Sequence, residues 1–297
     1  MAVSARLSPL DRATLAYVAA VELALVYLAH DGNAPYWPWI ATAHALLGVC
    51  ALVAPRARQA GATGRFLGDW YAMLLLPALY GAIGIINIEE ARAYDQVVQR
   101  LEQLVFGSQV AYRWIREFPN PAFSWVMHAC YLAYYFILYT APLALWFSGR
   151  RDAARRTLLA VIVTFYVCYL AFILFPVAGP RYLFDLVHNA ATDVGPARLT
   201  QWILDHGDAW GAAFPSSHVA GALVATGMAY RCWRPLGLIL APFTAGLVLA
   251  VVYGQFHYGV DALTGLVVAG TVLALVGLRD PAELPVGVLQ GRAADPV

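Results

Sequence analysis

Residues 212–221 read AAFPSSHVAG. A polar loop precedes them, and the apolar run that follows predicts a helix to about Trp233. The stretch sets Pro215, Ser216, Ser217 and His218 together at the mouth of that helix. In isolation the quartet reads as a helix N-cap, with a serine oxygen accepting from the first turn and proline near the start. The surrounding composition makes such a polar cluster unusual. The 297 residues are 61% hydrophobic and 12% charged, and a soluble domain carries about twice that charged fraction.

Apolar runs near the ~20 residues that cross a bilayer recur along the chain. They lie at about 13–29, 36–54, 70–88, 123–147, 157–178, 217–234, 236–254 and 258–277. The fold expected is an all-α polytopic membrane protein. Arg6 and Arg12 flank the first run as a signal peptide's basic region would, but no small-x-small cleavage site follows. Nine Trp and seventeen Tyr supply rings for the membrane–water interface. Cys50, Cys130, Cys168 and Cys232 fall in or beside apolar runs without metal-ligand spacing and read as buried spectators.

Eight spans place both termini on one side. All nineteen basic residues are Arg; thirteen fall on the side of the termini and six on the other. The positive-inside rule then puts both termini in the cytoplasm. With net charge +1 there is no nucleic-acid footprint. Arg without Lys is the coding bias of a GC-rich, bacterial genome, so a bacterial inner membrane is expected. The segment 89–122 carries both charge signs, with Val97, Val98, Leu101, Leu104 and Val105 at helical spacing; it predicts an amphipathic helix on the outer surface, over about 89–118. The Pro- and Gly-rich tail, 280–297, predicts disorder.

The same count of crossings brings three segments to the outer surface. The fifth run ends in FPVAGPRY, with Arg181; the sixth begins at PSSH; the seventh and eighth meet at YGQFHYGVD, with His257 and Asp261. Histidine and aspartate four residues apart share a helical face. The carboxylate can accept the imidazole Nδ1–H and leave Nε2 free as nucleophile or base. His218 can hand a proton to a leaving oxygen. Unpaired N–H groups around Ser216 and Ser217 form an anion site, and Arg181 adds a positive fork for phosphate oxygens. The set makes a phosphoryl-transfer site without a metal or other cofactor.

GPR, PSSH and HYGVD resemble the three motifs of the type 2 phosphatidic acid phosphatase superfamily, over roughly residues 70–277. The resemblance implies a six-helix catalytic core at 70–279 behind two extra N-terminal transmembrane helices at 1–69. It also implies roles: His257 attacks phosphorus and becomes a phosphohistidine, Asp261 orients it, His218 protonates the departing alkoxide, and Arg181 with Ser216 holds the phosphoryl oxygens, to which the Ser217 hydroxyl adds a donor. Tyr182, Tyr253, Tyr258 and His128 are candidates for a headgroup pocket.

The sequence departs from the family pattern at two cations. Leu174 stands where a Lys is usual, seven residues before Arg181, and Val251 where an Arg is usual, six before His257. In addition, Tyr182 follows Arg181 where Pro is usual, and Ser217 replaces a Gly. These losses resemble the inositol phosphorylceramide synthase branch, as do LVFG (104–107) and the aromatic run from His128 to Trp146. Charge gives a separate reason. A phosphate monoester carries close to two negative charges near neutral pH and a diester one, so a single Arg suits the diester. The partners expected are the bilayer, a phospholipid or lipid phosphate donor, and a lipid alcohol or water as acceptor. A phosphatase of lipid phosphates or polyprenyl diphosphates is the alternative within this chemistry. A transporter is the alternative outside it, since Glu22 and His44 lie within apolar runs; their mutual pairing is the plainer expectation. A catalytically decayed lipid-binding scaffold is a third reading. His188 and His206 lie in the loop 179–213 with Asp185, Asp193, Asp205 and Asp208 but show no metal-ligand spacing, and Glu89 and Glu90 are expected to solvate the amphipathic segment or contact a headgroup.

Overall fold

The computed structural model describes residues 6–30, 36–87 and 93–277. Glu89, Glu90, Arg92 and the tail from 280 lie outside the described residues. Among the described residues the secondary structure is helical apart from one isolated bridge, between Val177 and Ala212. The helices are α1 (Pro9–His30), α2 (Trp37–Ala57), α3 (Gly61–Ile86), α4 (Asp95–Phe106), α5 (Val110–Glu117), α6 (Pro121–Phe147), α7 (Arg151–Leu174), α8 (Pro180–Leu183), α9 (Gly195–Gly207), α10 (Ser217–Cys232), α11 (Arg234–Tyr253) and α12 (Gly259–Gly277). The protein is an all-α polytopic membrane protein.

Eight helices match the eight expected runs, but six of them (α1, α2, α3, α6, α7 and α11) are long and apolar enough to cross a bilayer by length and composition. α10 has 16 residues. At about 1.5 Å per residue it falls short of a ~30 Å hydrocarbon core. The reason lies in its position: α6, α7, α11 and α12 surround it, so its environment is protein and not lipid. Small residues allow that close approach. A Cβ added at Gly221 would meet the Phe165 ring at 2.8 Å, and one at Gly227 would meet Leu273 at 2.8 Å. The outer helices instead expose Leu23, Trp39, Phe136, Phe147 and Ile239, the surface a bilayer solvates.

α1 packs on α2 and α7, and α3 on α2 and α7. At one end of the bundle their charges form a lattice. Arg58 donates to Asp11 (2.6 and 2.8 Å), to Asp69 (2.7 Å) and to the Gly68 carbonyl, and Arg155 donates to Asp69 (2.9 Å). The expected Glu22–His44 pair does not form. His44 Nδ1 bonds the Ile40 carbonyl and its ring packs on Tyr17. Glu22 lies five residues beyond Tyr17, about 140° round the helix, and so on another face.

Two segments are more structured than the sequence predicted. The single amphipathic helix expected over 89–118 is two, α4 and α5. Gly107 ends α4 with φ 68°, a left-handed cap open to glycine without a Cβ penalty. The loop 179–213 contains α8 and the 13-residue α9, begun by Pro196 in its first turn. α9 packs on α6 and roofs the end of the bundle where the three motifs lie.

Candidate active site

The motif end is assembled from the C-terminal ends of α3, α7 and α11 and the N-terminal ends of α6, α10 and α12. Ser216 caps α10: its side chain accepts from Val219 N–H at 3.3 Å, and its own N–H donates to the Asp261 carbonyl at 3.0 Å. That second bond staples the start of α10 to the start of α12, and the two helix mouths bring His218 and His257 together. His257 Nε2 lies 3.4 Å from His218 Nδ1.

Each imidazole is held from behind. His257 Nδ1 lies 2.9 Å from the Ala213 carbonyl and 3.5 Å from Asp261 Oδ2. The carbonyl, and not the carboxylate expected from the spacing, is therefore the hydrogen-bond acceptor. The bond assigns the proton to Nδ1 and leaves Nε2 with its lone pair. Asp261 is fully buried; its Oδ2 accepts from Tyr258 N–H at 2.8 Å, so the carboxylate is turned toward the backbone of its own turn. His218 Nε2 lies 3.2 Å from the Tyr131 hydroxyl, and its ring packs against Tyr131 and Tyr134.

Arg181 completes the cluster. Gly179, at φ 94°, turns the chain out of α7, and a Cβ there would come within 2.9 Å of Ala213. The guanidinium donates to Gln201 at 2.9 Å and pairs with Asp205 and, at 3.6 Å, with Asp208. Arg181, His218, His257, Tyr131 and Asp208 line one narrow cleft of about 20 Å³. Ser216 and Ser217 are not in its lining; Ser216 serves the cap, and Ser217 faces the cavity beyond His218.

Two larger cavities flank the cleft. An apolar one of about 460 Å³ runs between α3 and α6, over Leu76, Pro77, Leu138 and Phe165, to His218. A polar one of about 330 Å³ lies under α9, with His128, Asp193, Arg198, Gln201 and Asp205, and reaches Arg181. Of the four headgroup candidates, His128 lines the polar cavity, its Nδ1 near the Ser124 hydroxyl and carbonyl. Tyr182 donates to Asp208 at 3.1 Å; burial, and then the Asp208 carboxylate, hold its hydroxyl well above the usual phenol range. Tyr253 turns its hydroxyl to the Phe118 carbonyl, and Tyr258 to Asp95, so both stand behind the cleft. His188 also lines the polar cavity, while the His206 ring packs at a tilt against Trp202. Leu174 is exposed at the end of α7, and Val251 is buried with its carbonyl accepting from Phe256 and His257. The two positions of the missing cations thus present aliphatic side chains outside the cleft lining.

Sequence reasoning passed over Tyr131, Tyr134 and Gln255, and met Asp205 and Asp208 only as acidic neighbours of His188 and His206 in a loop without metal-ligand spacing. Gln255 has φ 60°, uncommon for a residue other than glycine. Its side chain reaches the Pro180 and Asp185 carbonyls at 3.4 Å and accepts from Arg116, which links the His257 turn to the Arg181 turn. A visible signal for α9 was the Gly195–Pro196 start followed by Leu199, Ile203 and Leu204 at helical spacing.

The class is that of the all-α polytopic membrane proteins, here with an imidazole pair and a guanidinium gathered at one end of the bundle. The chain belongs to the PAP2 superfamily, the type 2 phosphatidic acid phosphatases, whose pattern matches residues 96–275. Membership carries a lipid phosphatase or phosphotransferase type of function, with lipid phosphates in a membrane as substrates. No curated protein and no solved structure matches the chain.

Proposed function

We propose that the protein is a metal-independent lipid phosphotransferase that moves a phosphate-linked headgroup through a phosphohistidine on His257. The observation that carries the reading is the 3.4 Å approach of His257 Nε2 to His218 Nδ1 beside Arg181 in one cleft. The His257 Nε2 lone pair attacks phosphorus, the bond from phosphorus to the leaving oxygen breaks, and His218 gives that oxygen its proton. An acceptor hydroxyl then attacks the phosphohistidine, His218 takes its proton, and the P–N bond breaks. The Ala213 carbonyl fixes the His257 tautomer. Asp261 stabilises the positive imidazole that forms on attack, in the manner of a buried carboxylate behind a catalytic histidine. Arg181 and the N–H groups at the start of α10 hold phosphoryl oxygens.

The finer reading is a headgroup transferase of the inositol phosphorylceramide synthase type. Charge supports it: the cleft lining has Arg181 as its cation and Asp208 as an anion, a poor match to a dianionic monoester and a better one to a diester. The flanking cavities support it too, with lipid tails in the apolar one and a polar headgroup under α9. The catalytic unit would be α3 to α12, with α1 and α2 as an annex, and the motif end would face the periplasm with both termini cytoplasmic.

Purified protein incubated with a phospholipid diester and with phosphatidic acid, with and without a lipid alcohol, distinguishes the outcomes by mass spectrometry of the lipids. A headgroup-bearing alcohol product and preference for the diester are expected, together with an acid-labile phosphoenzyme that disappears in His257→Ala. Preference for phosphatidic acid with release of free phosphate would make the protein a phosphatase instead. Full turnover by His257→Ala would remove the nucleophile assignment.

A further inference from the structure

α4 carries two buried carboxylates whose bonding partners belong to the motif segments. Asp95 Oδ2 accepts from Ala178 N–H and its Oδ1 from Gly179 N–H, both at 2.8 Å; Oδ1 also accepts from the Tyr258 hydroxyl at 3.2 Å. Glu102 Oε2 accepts from Val260 N–H at 2.9 Å. Asp95 is 3% exposed and Glu102 0%. Neither forms an ion pair among the described residues. Burying an uncompensated carboxylate is costly, and here the compensation is backbone N–H groups and one phenol. Burial, and then the Asp95 carboxylate, hold the Tyr258 hydroxyl well above the usual phenol range, so it remains a donor. Gln99 donates to the same hydroxyl at 3.1 Å.

The spacing has a geometric meaning. Residues 95 and 102 are seven apart, about two helical turns, and so share a face. One end of that face grips the two residues that precede Pro180 and Arg181. The other grips the residue between Gly259 and Asp261, two beyond Tyr258. Tyr258, next to His257 in the chain, is bonded to the first grip as well. The phosphate-holding turn and the nucleophile's turn come from segments some eighty residues apart in sequence, and a single rigid helix spans both.

We infer that Asp95 and Glu102 are positioning residues that set the distance between Arg181 and His257, with α4 as the rigid spacer. The inference rests on the roles proposed above for Arg181 and His257. A residue acting through Arg181 should lose its effect when Arg181 is already gone, because coupled residues are not additive.

The test is a double-mutant cycle on the full chain in lipid nanodiscs, with Asp95→Asn, Arg181→Ala and the double variant, following kcat and KM on a phospholipid diester. Asp95→Asn keeps the side chain's shape and one acceptor oxygen, so it folds where Asp95→Ala fails. Asp95→Asn is expected to lower kcat/KM at least tenfold, with the double variant no worse than Arg181→Ala by more than about threefold. Asp95→Glu, with a carboxylate, is expected to recover more activity than Asp95→Asn. Glu102→Gln and Asp261→Asn should show the same coupling at the other grip. Fully multiplicative effects, or wild-type kcat/KM in Asp95→Asn, would overturn the inference. A second readout separates it from the reaction reading. Affinity for inorganic vanadate, followed by thermal shift, depends on Arg181 whatever the nucleophile is. If His257→Ala keeps full turnover, the phosphohistidine reading falls. The spacer is then judged by whether Asp95→Asn and Arg181→Ala are coupled in vanadate affinity.

Discussion

In the proposed reaction specificity turns on Arg181, because it is shared. Its guanidinium is held by Asp205 and faces Asp208 at 3.6 Å, so an incoming phosphoryl group competes with carboxylates already in place. Asp205→Asn removes one competitor and is expected to lower KM for an anionic lipid several-fold while kcat changes little. A raised KM would mean that Asp205 orients Arg181 and does not compete for it. The sequence named Arg181, His218, His257 and Asp261 because their residue types and spacing suit the chemistry proposed. It could not name Ala213 as the hydrogen-bond partner of His257, since a backbone carbonyl leaves no mark in the residue types. Asp208 and Tyr131 were equally silent, being one more acidic residue in a polar stretch and one more tyrosine in an aromatic run.

At the scale of elements, α10 shows how a helix can lie inside a membrane protein without reading as a span. Gly221 stands one turn beyond His218 and meets Phe165 of α7. Gly221→Leu forces α7 and α10 apart; overpacking of this kind destabilises by about 1–3 kcal/mol. Reduced thermal stability and at least a tenfold loss of turnover are expected, read by thermal shift and by lipid mass spectrometry on the folded fraction. Unchanged turnover would show that the His218 position tolerates movement of its helix. The eight apolar runs were legible because hydropathy follows length and composition. The break at Gly107 and the roof helix α9 were missed, because each is short and owes its place to packing on α12, α11 or α6.

Across the whole molecule, the site and the ion-pair lattice occupy opposite ends of the bundle, joined by α7, whose 24 residues span about 36 Å. Arg58→Ala would leave Asp11 and Asp69, at 0% and 3% exposed, short of their main cation. Breaking a buried pair of this kind costs about 3–5 kcal/mol. A marked fall in melting temperature is expected with kcat per folded molecule unchanged. A fall in kcat at unchanged stability would instead connect the two ends of the bundle.

The amino-acid sequence by itself determined the membrane setting, the helical class and the chemical identity of the side chains proposed to react, because hydropathy and residue type are local properties. Tertiary structure alone decided which backbone groups hold those side chains and what borders Arg181 and the histidine pair. It also decided how far apart the gripping turns stand. These quantities depend on contacts between segments such as 95–102, 177–181 and 257–261, and no local pattern encodes a distance between them.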